Sequence, residues 1–133
     1  MNDYVPDFGD IIWLNFTPQS GHEQAGQRPA LVLSPLIYNK ASGLCLCVPI
    51  TSKIKGYPFE VPIALQKPSV ILSDQLKSVD FRARQAKFLQ KADEATLKEV
   101  QNNLAELLNL AKFSTLQFLN FQREFCNFFT NFP

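Results

Sequence analysis

From Gly9 to Phe88 the chain is cut into short apolar and β-branched runs, each closed by proline, glycine, asparagine or aspartate before a long helix could complete itself. That punctuation argues against a helical bundle and points to several short strands in a small, strongly bent barrel or sandwich. "GDIIWLNF" (Gly9 to Phe16) alternates like a strand. "RPALVLSP" and "LCLCVPIT" are continuous apolar runs short enough for buried strands, and "SVILSDQLKSVDFRARQAKF" holds two or three more. In "YPFEVPIAL" the prolines suit a sheet edge or a strand start better than a central strand. Between these runs, "TPQSGHEQAGQ" predicts a long polar loop and "SKIKG" a short basic one. "LIYNKASG" predicts a turn, punctuated by Asn39 and Gly43.

The period then changes. "DEATLKEVQNNLAELLNL" sets Leu97, Val100, Leu104 and Leu107 or Leu108 at helical spacing, with Asp93 as N-cap and acids in the first turn. An isolated helix of this length is marginal in water, so its apolar stripe is expected to lie on the barrel. The fold class expected is therefore mainly β with a C-terminal helix, as one domain over residues 1–110. Residues 111–133, "AKFSTLQFLNFQREFCNFFTNFP", differ in kind: they hold seven of the twelve phenylalanines, alternating with Asn, Gln and Thr. Two readings stay open for this extension, an amphipathic helix or a segment foreign to the rest of the chain such as a frameshift would leave, and its role is unassigned. As a helix it would present an aromatic stripe that needs a covering surface.

Net charge is only +1, yet charge is unevenly spread. Nine lysines and arginines between Lys40 and Lys91 face only Glu60, Asp74 and Asp80, whereas residues 1–27 carry four acids and no Lys or Arg. A negatively charged partner is expected to prefer the middle of the chain. No secretion signal or membrane-length apolar run opens the sequence, so a cytoplasmic protein is expected, with no membrane association. Cys45 and Cys47 fall on one face of a strand as buried, reduced thiols. With one histidine and no C-x-x-C pair, neither a metal site nor a cofactor is expected.

Arg28 invites a chemical reading because Pro29 restricts it to extended backbone, at the hinge between the polar loop and an apolar strand. A strand-anchored guanidinium suits bidentate contact with a phosphate or carboxylate, and it would equally serve in a salt bridge to Glu23. Thr51 and Ser52 close one strand and are followed by Lys53 and Lys55, so hydroxyls and amines gather where a phosphate could be held; Thr at a strand end is equally an ordinary β-former. Trp13, Phe16 and Tyr57 could stack on unpaired bases or simply fill the core. His22, in a glycine-flanked loop without a carboxylate to orient it, reads as solvated. No phosphate-binding glycine loop or nucleophile elbow occurs.

Four blocks, "YVPDFGDIIWLNFTP", "GHEQAGQRPALVLSP", "YNKASGLCLCVPITSKIKGYPFEV" and "LSDQLKSVDFRAR", taken together and in this order, resemble the MazF/PemK family of toxin endoribonucleases. The likeness runs from about Tyr4 to Leu110, with a small deletion in "LQKPSV". It implies a small SH3-like barrel with a C-terminal helix, a homodimer, and metal-independent cleavage of single-stranded mRNA at short motifs of the ACA kind. It also implies restraint by a MazE-like antitoxin whose acidic segment lies over the RNA groove. By the same resemblance Arg28 and Thr51 are the catalytic pair and Glu23 a candidate base. Trp13, Phe16, Asn39, Ser52, Lys55, Tyr57 and Gln75 match RNA-contacting positions. Gln27 departs from a close relative within the family, which carries His there; if that His tunes loop shape or base choice, a different cleavage motif is expected here. The rival reading is a CcdB-like toxin of the same fold that binds and poisons DNA gyrase without catalysis.

Overall fold

A computed structural model describes residues 3–16, 26–110 and Arg123. Within them lie β1 (Asp10–Phe16), β2 (Gly26–Val32), α1 (Leu36–Ser42), β3 (Leu44–Thr51), β4 (Glu60–Ala64), β5 (Pro68–Leu72), β6 (Lys77–Asp80), β7 (Lys87–Lys91) and α2 (Glu94–Leu107). The strands form a curled antiparallel half-barrel in the order β4-β5-β3-β2-β1-β7, with β6 also paired to β3. Among the described residues β4 and β7 end this path, and β6 too is paired on one side only. Pro62, in β4, has no N–H to give to a further strand, which agrees with the edge position expected of "YPFEVPIAL".

The continuous apolar runs have a simple cause: the central strands are covered on both faces. One core gathers Ile12, Leu14, Ala30, Val32, Cys45 and Cys47 against Phe81 and Ala86, with Tyr4 and Val5 packed on it. The other gathers Ile11, Leu31, Val48 and Ile50 against Val61, Ile71 and Val100 of α2. At Ile11 and Ile12, Leu31 and Val32, and Cys47 and Val48, successive residues thus turn to one apolar core and then the other, whereas Leu44 and Leu46 are exposed on the face opposite buried Cys45 and Cys47. Cys45 and Cys47 are free and buried, as expected; their mutual hydrogen bond, then burial, hold the Cys45 thiol well above the ordinary range.

Strand β3 forks the sheet. Its first half, Leu44 to Cys47, pairs with β6, and its last two residues, Ile50 and Thr51, pair with β5. Val48 and Pro49 lie between the two ladders, so proline falls where no partner on that edge asks for an N–H.

Helix α2 begins where the sequence indicates. The Asp93 carboxylate accepts the Thr96 N–H at 2.8 Å, which keeps the Asp93 carboxyl below the usual carboxylate range. Val100 is fully buried and Leu97 and Leu104 pack beside it, but Leu107 and Leu108 are largely exposed, so the stripe meets the core only over its first three positions.

The turn expected at "LIYNKASG" is instead helix α1. Its local sequence carries no capping side chain, because the cap comes from far away: Asp7 Oδ1 accepts the Leu36 N–H at 2.9 Å across 29 residues. Gly43 does punctuate, as the left-handed C-cap at φ 77°, donating its N–H to Asn39 O. Asn39 is an interior helical residue rather than a turn former. The N-terminal segment is fastened by Asp10, which is buried, pairs with Lys91 at 2.5 Å and accepts the Tyr4 hydroxyl at 2.5 Å and the Asp7 N–H at 3.0 Å. Burial, then the bond to Asp10, push the Tyr4 phenol far above its ordinary value.

Candidate functional site

Arg28 is the third residue of β2, not the last residue of the loop: the strand begins at Gly26, opposite Phe16, and Arg28 faces Leu14 across the β1 ladder. The strand starts early because β1 offers pairing partners down to Phe16, which the local sequence around Pro29 does not reveal. Towards β3 the paired register stops one residue after Pro29, with Ala30 facing Pro49. The two prolines remove an N–H from each strand where this ladder ends.

Carried two residues past its last pair, that register opposes Arg28 to Thr51. Alternation agrees. Arg28 shares its face with Ala30 and Val32, Thr51 shares its face with Cys45 and Cys47, and these four line one and the same core. The guanidinium-bearing residue and the hydroxyl-bearing residue therefore stand on one face of adjacent strands at one end of the sheet. Arg28 is exposed and has no ion-pair partner among the described residues; Thr51 is half-buried. Thr51 Oγ1 accepts the Lys53 N–H at 3.1 Å, which orients the oxygen and leaves its own proton to be donated elsewhere.

Beyond Thr51, residues 52–58 are all exposed. Ser52 opens the segment. Lys55 Nζ sits 5.8 Å from the centroid of the Tyr57 ring, which is 60% exposed. Gln75 is exposed as well, in the β5–β6 connection, with its N–H on Leu72 O at 3.1 Å. Thus the extrapolated register places Arg28 and Thr51 at the same end of adjacent strands, with the exposed basic and aromatic segment continuing from Thr51.

Two other expected RNA contacts are arranged differently. Trp13 pairs with Pro29, so alternation puts it on the opposite face of the sheet from Arg28, half-buried. Asn39 is 0% exposed. Its Nδ2 donates to Pro6 O at 2.7 Å and Ser34 O at 3.0 Å, and its Oδ1 accepts the Ser34 hydroxyl at 2.6 Å. With no surface and every polar atom committed, Asn39 braces α1 against the N-terminal segment instead of meeting a ligand. Phe16 ends β1, and Glu23, His22 and the 111–133 extension apart from Arg123 lie outside the described residues, as do the expectations attached to them. Among the described residues no three His, Cys, Asp or Glu side chains gather as metal ligands, and no helix is long and apolar enough to cross a membrane.

A groove of about 550 Å³ lined by Asn15, Ser78, Asp80, Arg84 and Gln85 lies beside the C-terminal end of β1, where Asn15 faces Gln27. Sequence reasoning did not single it out, because the turn at residues 81–86 reaches β1 only in three dimensions, through the Asn15 N–H on Arg84 O at 2.8 Å.

Comparison with known proteins gives this arrangement its family. The PemK-like, MazF-like toxins of type II toxin-antitoxin systems match residues 7–108. The endoribonuclease toxin MazF of Escherichia coli K12 is 58% identical over 84 residues, 62% of this chain and 76% of that protein. Escherichia coli endoribonuclease PemK is 30% identical over 106 residues, 75% of this chain and 80% of its own. A crystal structure of MazE-MazF from Deinococcus radiodurans superposes with a TM-score of 0.76 at 50% identity, covering 82% of this chain and all of that one. The chain therefore belongs to the PemK-like, MazF-like toxin family of type II toxin-antitoxin systems, and with it to the endoribonucleases.

Proposed function

We propose that the chain cuts single-stranded mRNA at a short motif of the ACA kind, without a metal ion, through attack of the 2′-hydroxyl on the adjacent phosphorus. The products are a 2′,3′-cyclic phosphate and a free 5′-hydroxyl. The observation that supports this reading is the β2–β3 register, which ends at Ala30 facing Pro49 and, carried two residues further, sets Arg28 opposite Thr51.

As the 2′-oxygen attacks, negative charge builds on the phosphoryl oxygens, and a guanidinium offers them two parallel N–H donors. Thr51, its oxygen already anchored by the Lys53 N–H, adds an O–H donor. Removal of one such preorganised donor costs about 10²- to 10³-fold in rate. Arg28 is not the base, because a guanidinium carries its proton permanently in proteins and has no lone pair to accept another. Glu23, five residues earlier in the sequence, is the proposed proton acceptor. Ser52, Lys55, Tyr57 and Gln75 bind the flanking RNA through phosphate contacts and base stacking. Trp13 and Phe16 are kept as RNA contacts at the margin of the site, and Asn39 is not. The working unit is proposed as a homodimer formed by residues 1–110. It is restrained by a MazE-like antitoxin, in keeping with the MazE-MazF pairing of the Deinococcus structure.

The test is incubation of purified protein with a defined single-stranded RNA in EDTA, with both new ends mapped. Sequence-specific fragments ending in 5′-hydroxyl, absent when the scissile nucleotide is 2′-deoxy and absent for Arg28→Ala and Thr51→Ala, support the proposal. Intact RNA together with inhibition of DNA gyrase would overturn it.

A further inference from the structure

We infer that Glu60 is a positioning residue for RNA, holding the Lys55–Tyr57 turn in its binding shape by occupying the anion cradle formed by two successive main-chain N–H groups. The inference rests on the RNA reading above and adds a residue that reading does not use.

Glu60 is the first residue of β4 and is half-buried. Its carboxylate accepts the Gly56 N–H at 2.8 Å and the Lys55 N–H at 3.2 and 3.3 Å, while its own N–H donates to Tyr57 O at 3.1 Å. Gly56 allows this convergence by taking φ 82°, a backbone state that side-chain-bearing residues rarely adopt. Consecutive N–H groups turned to one side form a concavity that takes an anion, and here the anion belongs to the chain itself.

Two consequences matter for a ligand. The turn is closed at both ends, so Lys55 and Tyr57 are presented together, with the ammonium 5.8 Å from the ring centroid, instead of being ordered only on binding. Second, the carboxylate bonds the main chain and makes no ion pair with the Lys55 ammonium among the described residues, which leaves that cation to a phosphate. Nothing in the sequence pattern of "SKIKGYPFE" distinguishes this glutamate from a solvated charge.

Charge and positioning predict opposite signs. If Glu60 acted only as a negative charge near lysines, its removal would tighten RNA binding. If it acts as the clamp, Glu60→Ala weakens binding although repulsion is relieved. Three measurements are made on the full chain: kcat and KM on a defined single-stranded RNA, Kd for the uncleavable 2′-deoxy analogue, and exchange of the Lys55 and Gly56 amides.

For Glu60→Ala the expected result is KM and Kd raised about tenfold with kcat within about threefold, and faster exchange of both amides. Glu60→Gln, whose amide oxygen still accepts, is expected to restore Kd to within about threefold of wild type. On a Lys55→Ala background the Glu60→Ala penalty on Kd should shrink to about twofold or less, because the clamp acts through that side chain. Unchanged or lower KM and Kd in Glu60→Ala, or penalties that multiply fully with Lys55→Ala, would overturn the inference while leaving the RNA reading standing. Absence of cleavage and of RNA binding by the wild type would overturn both.

Discussion

Asn39 offers the sharpest test of geometry against resemblance. Asn39→Ala deletes three hydrogen bonds, to Pro6 O, to Ser34 O and from the Ser34 hydroxyl, at a site with no solvent access. At about 1 kcal/mol net for each, the loss is about 3 kcal/mol before any cavity is counted. For a domain near 100 residues that corresponds to a fall in Tm of about 10–20 °C. Ser34→Ala should share part of the effect, since the Ser34 hydroxyl also accepts the Leu46 N–H at 2.8 Å, and the pair should be non-additive in a double-mutant cycle. Urea unfolding at a single protein concentration, followed by the fluorescence of the sole tryptophan, Trp13, reads the shift in midpoint at constant m. Well below the new Tm the folded variant should bind the 2′-deoxy analogue like the wild type. A loss under about 1 kcal/mol accompanied by weakened RNA binding would refute the argument and return Asn39 to the surface chemistry that the family resemblance suggests.

Thr51→Ser should keep cleavage within about tenfold of wild type while Thr51→Val loses about 10²-fold or more, measured as kcat on a defined RNA, since only the hydroxyl donor differs in kind. Arg28→Lys should lose a comparable factor, because a point charge cannot reproduce two parallel donors. Tyr4 has its folded pKa raised above the ordinary 10.0, so the folded state holds this proton more tightly. Its contribution to stability is whole below that pH and declines as pH rises past it; Tyr4→Phe should flatten the alkaline side of a Tm-against-pH curve. Gly9→Ala should destabilise by about 1–2 kcal/mol in urea melts. It forces a side chain onto φ 87° and sets a Cβ 3.1 Å from Leu97 Cδ1, where β1 meets α2.

The strands were legible because burial on both faces leaves continuous apolar runs such as "RPALVLSP", and α2 because Asp93 and the Leu97–Val100–Leu104 spacing are local signals. Helix α1 was not, since its cap is Asp7 and its central Asn39 is a poor helix former held in place by tertiary hydrogen bonds. The alignment of Arg28 with Thr51 follows only from carrying the β2–β3 register past its last pair, which composition and spacing do not encode; family resemblance named the two residues, and the register puts both at one end of the two strands. Glu60 is illegible for a related reason: its partners are main-chain N–H groups, and no side-chain pattern announces them.

An open sheet carries a hazard at each end, since an unpaired strand is a template on which another molecule's strand can grow. Here both ends are blunted. Pro62 withholds a donor from outside β4, while β7 shows exposed Lys87, whose charge would repel a second copy laid alongside. The half-barrel can thus stay uncapped at these two ends, with the rim that carries Arg28 accessible, and still resist polymerising through them.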